Sequence, residues 1–99
     1  MKILVFGGDS DIAREICVME KGTILINHRK CDVSKQGSAD HFIRTYKPEV
    51  VINCAGILKV ESVKEQGFAD WKDIININLF GSFNVAQASV KNNVKTINI

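Results

Sequence analysis

The chain has 99 residues, of which 45% are hydrophobic and 24% are charged, and its formal net charge is +2. This length allows one domain, and the composition is that of an ordered globular chain, which excludes a disordered one. The small charge argues against a nucleic-acid partner, and no apolar run approaches the roughly 18 residues of a membrane span, so we expect a cytoplasmic protein.

The cysteines and histidines give no sign of a metal site. Cys17, Cys31 and Cys54 lie far apart and form no Cys-x-x-Cys pair. An odd number of cysteines at such spacing is typical of neither a disulfide framework nor a zinc site. His28 and His41 also lack a ligand-like spacing. We therefore predict reduced thiols that serve mostly in packing, and no bound metal.

The first third of the chain predicts a strand, a helix and a second strand. Residues 2–6 are almost wholly apolar and are closed by a Gly-Gly pair, which is typical of a strand buried on both faces. Ser10 or Asp9 can cap a helix that ends at Lys21-Gly22, and residues 23–27 form the next strand. The apolar side of this helix would consist of Ile12, Ala13, Ile16, Cys17 and Met19.

The remainder of the chain continues the alternation of predicted strands and helices. Ser38 or Asp40 opens a helix through Tyr46, with Phe42 and Ile43 inward, and residues 50–53 form a buried strand. A long helix then runs from Ala69-Asp70 to about Asn92, and residues 94–99 form a last strand. Its packing residues would be Ile74, Ile77, Phe80, Val85 and Ala88. About four strands with three helices predict an α/β fold, an incomplete Rossmann-like, doubly wound parallel sheet.

The turn after the first strand has features of a phosphate site. In such sheets, ligands bind beyond the carboxyl ends of the strands. The Gly7-Gly8 pair lets the backbone approach a pyrophosphate, the next helix directs free N–H groups there, and Ser10 adds a hydroxyl. Against this, Asp9 and Asp11 bring carboxylates, and Ala13 brings a methyl group where close packing favours glycine. A simple strand-to-helix corner is therefore the alternative.

The end of the second strand bears on the choice of nucleotide. It has the sequence Asn27-His28-Arg29-Lys30, which contains no acidic residue. An acid here would hold the adenosine ribose hydroxyls of NAD, whereas an arginine can pair with the additional phosphate of NADP. A solvated basic turn is the alternative; if a dinucleotide binds, the pattern favours NADP, with NAD still possible.

Four segments in order resemble the short-chain dehydrogenases/reductases. They are the glycine turn at residues 5–14, the CDVS sequence at 31–34, the NCAG sequence at 53–56 and the NINLFG sequence at 76–81. The resemblance covers the chain from Ile3 to Ile99. It implies a doubly wound parallel sheet that binds NAD or NADP, and hydride transfer between that cofactor and an alcohol or carbonyl substrate.

The resemblance also implies roles for single residues. Gly7 matches the first glycine of the phosphate turn, Asp32 the acid that contacts the adenine, and Val33 a neighbour of the ring. Residues 53–56 match the segment that supports the sheet and passes near the ribose, and Asn78 the helix asparagine of the catalytic proton relay. The expected cofactor-binding residues are Gly7, Gly8, Ser10, Asp11, Ile12, Asn27, His28, Arg29, Asp32, Val33, Asn53, Cys54, Ala55 and Gly56.

The chain departs from the family pattern in several places. Cys54 replaces a usual asparagine, and only twenty-five residues separate Gly7 from Asp32, fewer than in typical members. The family's catalytic serine and its Tyr-x-x-x-Lys pair would follow the last strand, and they are not among these 99 residues. Tyr46 cannot replace them, because Val50 stands four positions later.

We interpret residues 1–99 as a single, incomplete NAD(P)-binding domain, the N-terminal part of a longer reductase that forms homo-oligomers, and we expect no turnover from this part alone. Two other functions stay open. One is a nucleotide-sugar epimerase or dehydratase of the extended branch of the family. The other is a non-catalytic module that binds NADP as a sensor.

Overall fold

The structure is a computed structural model that describes residues 1–57 and 64–99. Its four strands are β1 (Ile3–Phe6), β2 (Thr23–Ile26), β3 (Val50–Asn53) and β4 (Lys95–Asn98). Two helices precede β3, namely α1 (Asp11–Met19) and α2 (Ser38–Tyr46). A continuous helical stretch follows it, composed of α3 (Phe68–Ile75), a π-helical segment (Asn76–Phe80) and α4 (Gly81–Lys91).

The four strands form one parallel sheet in the order β2-β1-β3-β4. Val5 of β1 lies opposite Leu25 on one side and Ile52 on the other, and Ile52 lies opposite Ile97 of β4. Parallel neighbours require long crossover connections, and helices supply them here. The predicted fold, an incomplete Rossmann-like parallel sheet with helices between its strands, is confirmed.

Both faces of the central strands are covered. Leu4 and Phe6 of β1 pack in one cluster with Ile43 of α2 and Val85 of α4. Their neighbours in the strand, Ile3 and Val5, belong to a second cluster with Ala13 of α1 and Ile52 of β3. Because side chains alternate between the faces of a strand, burial of both faces requires an uninterrupted apolar run.

The expected apolar side of α1 is only partly correct. Ala13 is fully buried and Ile16 is half-buried, but Cys17 is exposed, and Ile12 and Met19 are 48% and 73% exposed. The helix is also shorter than predicted, since it ends at Met19. A nine-residue helix that crosses the sheet presents only one narrow row of side chains to it. The number of apolar residues in α1 therefore predicted a wider buried face than the helix has.

The long C-terminal helix contains a π-helical segment that its sequence did not predict. The helical stretch begins at Phe68 and ends at Lys91, close to the expected bounds. Val85 and Ala88 are buried as expected, whereas Phe80 is 52% exposed, so its predicted packing role is wrong. A π-helical turn widens the hydrogen-bond spacing from four residues to five, which rotates the preceding side chains relative to a regular 3.6-residue period.

The described part of the chain contains three free thiols, of which Cys31 is buried, Cys54 half-buried and Cys17 exposed. In the same part, no three His, Cys, Asp or Glu side chains come close enough together to hold a metal ion. Of the helices in residues 1–57 and 64–99, none combines the length and the apolar character that crossing a bilayer requires.

Candidate functional site

A cleft of about 440 Å³ lies at the carboxyl ends of the strands, where α/β sheets bind their ligands. The turn after β1, the loop after β2 and the segment after β3 form its walls, and Ile77 of the π-helical segment completes it. The predicted site residues that line this cleft are Gly7, Ser10, His28, Asp32, Val33, Cys54, Ala55 and Gly56.

The two glycines of the turn after β1 contact different parts of the structure. Gly7 has a φ angle of +75°, and a Cβ atom there would lie 2.5 Å from the backbone nitrogen of Ala55. Gly8 instead packs against β2: its N–H donates to the carbonyl of Ile26 at 3.0 Å, and a Cβ atom would lie 2.8 Å from Cβ of Leu25. Gly7 therefore borders the cleft, whereas Gly8 joins two strands.

Ser10 is the residue that caps α1, one of the two candidates in the sequence. Its Oγ accepts a hydrogen bond from the backbone nitrogen of Ala13 at 3.1 Å. The first N–H groups of a helix have no partner within the helix and carry partial positive charge. Because Ser10 lines the cleft, the N-terminus of α1 lies beside it.

Two helix residues that were expected to bind the cofactor at this turn, Asp11 and Ile12, do not line the cleft. Asp11 is almost fully exposed, and its Oδ1 accepts a hydrogen bond from Nη1 of Arg14 at 3.1 Å. Ile12, one helical residue further, is not among the residues that line the cleft. Ala13 is fully buried in the cluster between α1 and the sheet, so its methyl group fits where glycine had been expected.

The basic turn after β2 places one of its side chains in the cleft. The Oδ1 atom of Asn27 accepts hydrogen bonds from the backbone nitrogens of Arg29 and Lys30, both at 3.1 Å, so this amide stabilises the turn. His28 lines the cleft, and its Nδ1 lies 3.9 Å from Oδ2 of Asp9. Arg29 is exposed beside the cleft rather than a part of its lining.

Asp32 is held in its ionised form by its own loop. Its Oδ1 accepts hydrogen bonds from the hydroxyl and the backbone nitrogen of Ser34, at 2.6 and 3.0 Å. The hydroxyl bond is the main reason why the pKa of this carboxyl lies below its ordinary value, and the positive charges of Lys35 and His28 add to the effect. The carboxylate therefore faces the cleft with a fixed orientation and a full charge at neutral pH.

We predict that the replacement Ser34→Ala raises the pKa of Asp32 toward its ordinary value of about 3.9. A depressed pKa contributes stability above the ordinary value and loses it as the pH falls through the folded-state value. The variant should therefore lack this contribution, so that it is less stable than the wild type above about pH 4, and the difference should disappear as the pH falls through the folded-state pKa of the wild type. A carboxyl titration by NMR measures the change; Thr45→Ala, which removes a hydroxyl bond within α2, is the control. An unchanged titration of Asp32 in Ser34→Ala would contradict the assignment.

Val33 connects this loop to α4. Its side chain is buried, and its carbonyl accepts a hydrogen bond from Nδ2 of Asn84 at 2.9 Å. A Cβ atom on Gly81 would lie 2.6 Å from Cγ2 of Val33, so α4 approaches the loop closely. In the sequence, Gly81 was noted only as part of a motif, and Asn84 was not noted at all. Their contacts with Val33 join residues that are far apart in the chain, so no local pattern predicts them.

Asn53 lies beneath the cleft rather than in it. It is 2% exposed, and its Oδ1 accepts a hydrogen bond from the backbone nitrogen of Ala55 at 3.1 Å. Its Nδ2 lies 3.3 Å from Oδ1 of Asn98 and 3.4 Å from Oγ of Ser82. This one amide links β3 with β4, α4 and the segment that lines the cleft.

Two thiols line the cleft as protonated, weakly polar groups. Burial raises the pKa of both Cys31 and Cys54 above the ordinary thiol value. Hydrogen bonds from Ser38 and Ser10 respectively oppose part of this effect. At neutral pH both side chains therefore contribute packing surface rather than a nucleophile.

Asn78 holds the segment that follows β3. Its Oδ1 accepts a hydrogen bond from the backbone nitrogen of Ile57 and its Nδ2 donates to the carbonyl of the same residue, both at 2.8 Å. A Cβ atom on Gly56 would lie 3.3 Å from this Oδ1, so the glycine leaves room for the amide. The π-helical segment thus fixes one wall of the cleft.

The cleft and the expected set of site residues overlap only in part. Asp9, Cys31, Ile57 and Ile77 line the cleft although they were not predicted as site residues. Hydrophobicity gave no signal for the two isoleucines, because an apolar residue in a cleft wall has the same pattern as one in the core. The expected residues outside the lining are Gly8, Asp11, Ile12, Asn27, Arg29, Asn53 and the expected proton-relay residue Asn78.

A Rossmann-like sheet with a glycine turn and a helix N-terminus at its cleft defines a nucleotide-binding class of domain. The sequence profile of the short chain dehydrogenase family matches residues 19–97, which is most of the chain. The chain belongs to the short-chain dehydrogenase family. A comparison with curated protein sequences gives no significant match.

Solved structures of similar proteins agree with this assignment. A dTDP-4-dehydrorhamnose reductase from Clostridium acetobutylicum is 29% identical and superposes with a TM-score of 0.82 over 97% of the chain and 34% of its own length. The corresponding reductase from Bacillus anthracis, in complex with NADP, is 20% identical with a TM-score of 0.81 over 97% of the chain and 35% of its own length.

An aldohexose dehydrogenase from Thermoplasma acidophilum, 20% identical, has a TM-score of 0.78 and is matched over 98% of the chain and 48% of its own length. At 20% identity, this similarity shows that the two proteins share a fold and nothing more. The chain therefore spans about a third of the length of the two reductases and about half that of the dehydrogenase.

Proposed function

We propose that residues 1–99 are the cofactor-binding part of a longer oxidoreductase, which transfers hydride between NADP(H) and an alcohol or carbonyl substrate. The observation that carries this proposal is the cleft at the carboxyl ends of the strands. The cleft is lined by Gly7 in the turn after β1, by Ser10 at the N-terminus of α1, and by the loop that carries Asp32.

The residues present fit a dinucleotide. A Cβ atom at Gly7 would collide with the backbone of the segment after β3, so only glycine lets these two walls of the cleft come together, and the carboxylate of Asp11 pairs with Arg14. Asp32 and Val33, which both line the cleft, would contact the adenine end. When bound, the nicotinamide supplies the hydride, and the protein orients it and handles the proton.

The basic side chains after β2 favour NADP over NAD. His28 faces the cleft, and Arg29 and Lys30 are exposed beside it, where an additional ribose phosphate would meet their charges. The Bacillus anthracis reductase, which has the same fold, is a complex with NADP. Both observations support NADP, and NAD is the alternative cofactor.

Asn78 would act in the reaction by positioning. Its amide is committed to Ile57 through two hydrogen bonds, so it holds the segment after β3 against the cleft. A general acid or base still has to be supplied, because residues 1–99 contain no Tyr-x-x-x-Lys sequence. We propose that it belongs to a further part of the protein, and that this part of the chain alone has no turnover.

A homo-oligomeric, cytoplasmic enzyme is part of the same proposal. Large apolar side chains are exposed along the helical stretch from α3 to α4, and a partner copy would cover them. Within this group the rings of Phe68 and Trp71 stack at 5.9 Å. The exposed residues are Phe68, Trp71, Leu79, Phe80, Phe83 and Val90.

A nucleotide-sugar enzyme of the extended branch is the second candidate function. The observation that favours it is the 29% identity to a dTDP-4-dehydrorhamnose reductase over 97% of the chain. Both candidates share the cofactor cleft and differ in substrate. Turnover of the full-length protein with simple alcohols and carbonyls, compared with nucleotide-linked sugars, separates them.

The full-length protein should be stabilised against heat by NADPH and more weakly by NADH. At a concentration one hundred times Kd, a ligand that binds only the folded state adds about 2.7 kcal/mol, which corresponds to several degrees in Tm. Differential scanning fluorimetry with each nucleotide measures the shift. No shift with either would overturn the proposal. Binding without turnover of any alcohol, carbonyl or sugar substrate would instead indicate the non-catalytic NADP sensor.

A further inference from the structure

The segment that follows β3 forms one wall of the cleft although it belongs to neither a strand nor a helix. This wall segment consists of Ala55, Gly56 and Ile57, and all three residues line the cleft. Backbone groups outside strands and helices need other partners to fix their positions. Asparagine side chains from β3 and from the π-helical segment are such partners here.

One asparagine holds each end of the wall segment. At its start, the backbone nitrogen of Ala55 donates a hydrogen bond to Oδ1 of Asn53 at 3.1 Å. At its end, the backbone nitrogen of Ile57 donates to Oδ1 of Asn78 at 2.8 Å. Asn53 ends β3 and Asn78 belongs to the π-helical segment, so the shape of the wall segment depends on how these two elements are placed relative to each other.

Ser82 connects the two asparagines. Its hydroxyl donates to the carbonyl of Asn78 at 2.8 Å, and its Oγ accepts a long hydrogen bond from Nδ2 of Asn53 at 3.4 Å. The side chain of this half-buried serine therefore closes a ring of hydrogen bonds that starts and ends in the wall segment. The ring runs through Ala55, Asn53, Ser82, Asn78 and Ile57.

The ring crosses an irregular turn of the long helix. Asn78 lies in the π-helical segment, where the N–H of Gly81 donates to the carbonyl of Asn76, five residues earlier. Such turns are rare and occur mostly at functional sites. Ser82 stands at the start of α4, and its contact with Asn53 ties this turn to the end of β3. Without the hydroxyl, the turn can move relative to the sheet.

We propose that Ser82 is a positioning residue for cofactor binding, which fixes Asn78 and thereby holds the wall segment in the arrangement that receives a dinucleotide. The proposal rests on the proposed function, since it requires NADP or NAD in this cleft. Ser82 is not among the residues that line the cleft, so it acts only through its hydrogen-bond partners.

The replacement Ser82→Ala should open the ring at one place. We expect the N–H of Ile57 to exchange with solvent about fivefold faster, which corresponds to the loss of about 1 kcal/mol, the usual net contribution of one hydrogen bond. A wall segment that is less often in its binding arrangement lowers the apparent affinity. The Kd for NADPH should therefore rise by roughly twofold to fivefold.

The experiment uses the full-length protein and two measurements. Residue-resolved hydrogen exchange without nucleotide reports on the N–H of Ile57, and calorimetric titration with NADPH gives the Kd. The N–H of Gly8, which donates to the carbonyl of Ile26 at 3.0 Å, is the reference amide, because it reports on the sheet outside the ring. Equal exchange at Gly8 in all variants verifies that the fold is retained.

Two variants separate the ring from a general effect on the helix. Ser89→Ala is the matched control, because the buried hydroxyl of Ser89 also donates to a carbonyl four residues earlier, that of Val85, at 2.8 Å. Ser82→Thr keeps the hydroxyl and should restore both wild-type values. Faster exchange at Ile57 and weaker NADPH binding in Ser82→Ala, but in neither of the other variants, support the proposal.

Three results would overturn it. Unchanged exchange at Ile57 in Ser82→Ala would show that the ring does not hold the wall segment. Equal losses in Ser82→Ala and in either Ser89→Ala or Ser82→Thr would show that the hydroxyl of Ser82 has no special role. Faster exchange with an unchanged Kd would reduce Ser82 to a structural residue. If the wild-type protein does not bind NADPH or NADH, the proposed function itself fails, and that result is independent of the variants.

Discussion

The replacement Gly7→Ala should destabilise the protein by about 2 to 4 kcal/mol and abolish nucleotide binding in the cleft. Two costs add: the φ angle of +75° is unfavourable for any residue with a Cβ atom, and this atom would lie 2.5 Å from the backbone nitrogen of Ala55. The backbone at Ala55 cannot easily move away from this atom, because the nitrogen of the preceding residue, Cys54, donates a hydrogen bond to the carbonyl of Phe6 and holds the segment against β1. Urea unfolding measures the free energy.

Two other glycines separate these costs. Gly37 also has a positive φ angle, +81°, but a Cβ atom there would have no neighbour within 4 Å among the described residues, so Gly37→Ala tests the backbone cost alone. Gly67 has neither a positive φ nor such a neighbour within 4 Å, so Gly67→Ala should change stability little. If Gly7→Ala and Gly37→Ala destabilise equally, contact with the segment after β3 is not what requires glycine at position 7.

The replacement Asn53→Leu should be almost as costly, about 2 to 4 kcal/mol. Leucine has the same branching but leaves the N–H of the half-buried Ala55 without its acceptor, and removes the amide that links Asn98 and Ser82. A buried polar group without a partner costs about 1 to 3 kcal/mol. Urea unfolding of the variant and the wild type at one pH measures the difference.

Asn84→Leu is the matched comparison for this prediction. Asn84 is half-buried and donates one hydrogen bond, from Nδ2 to the carbonyl of Val33. Its loss should cost about 1 kcal/mol, the usual net contribution of a single bond. If both asparagine variants lose the same free energy, then the buried position of Asn53 between β3 and β4 has no special weight, and the expectation is wrong.

The apolar pattern alone predicted the order of strands and helices and the type of sheet. Residues 3–6 and 50–53 are almost continuously apolar because α1 covers one face of these strands and α2 and α4 cover the other. A turn with two glycines after such a strand also predicted where a ligand would approach. These signals are local in the chain, and so they can be seen without the fold.

The site was less predictable, because its decisive contacts join residues that are distant in sequence. Gly7 and Gly8 are neighbouring residues of the same type, yet Gly8 packs against β2 and Gly7 borders the cleft. Asp9 and Asp11 are equally acidic, but one faces the cleft and the other pairs with Arg14 on the outside. Only the direction in which α1 leaves the turn separates them.

The long helix shows the same limit for packing. A regular period of 3.6 residues predicted that Phe80 is buried, whereas the π-helical segment turns it outward and places Ile77 at the cleft and Asn78 against Ile57. The order of residues was enough to establish which segments are strands and helices and that the fold is of the α/β class, since burial on two faces demands continuous apolar runs. Which charges meet at the cleft emerged only in the folded chain, because those distances depend on how distant elements pack.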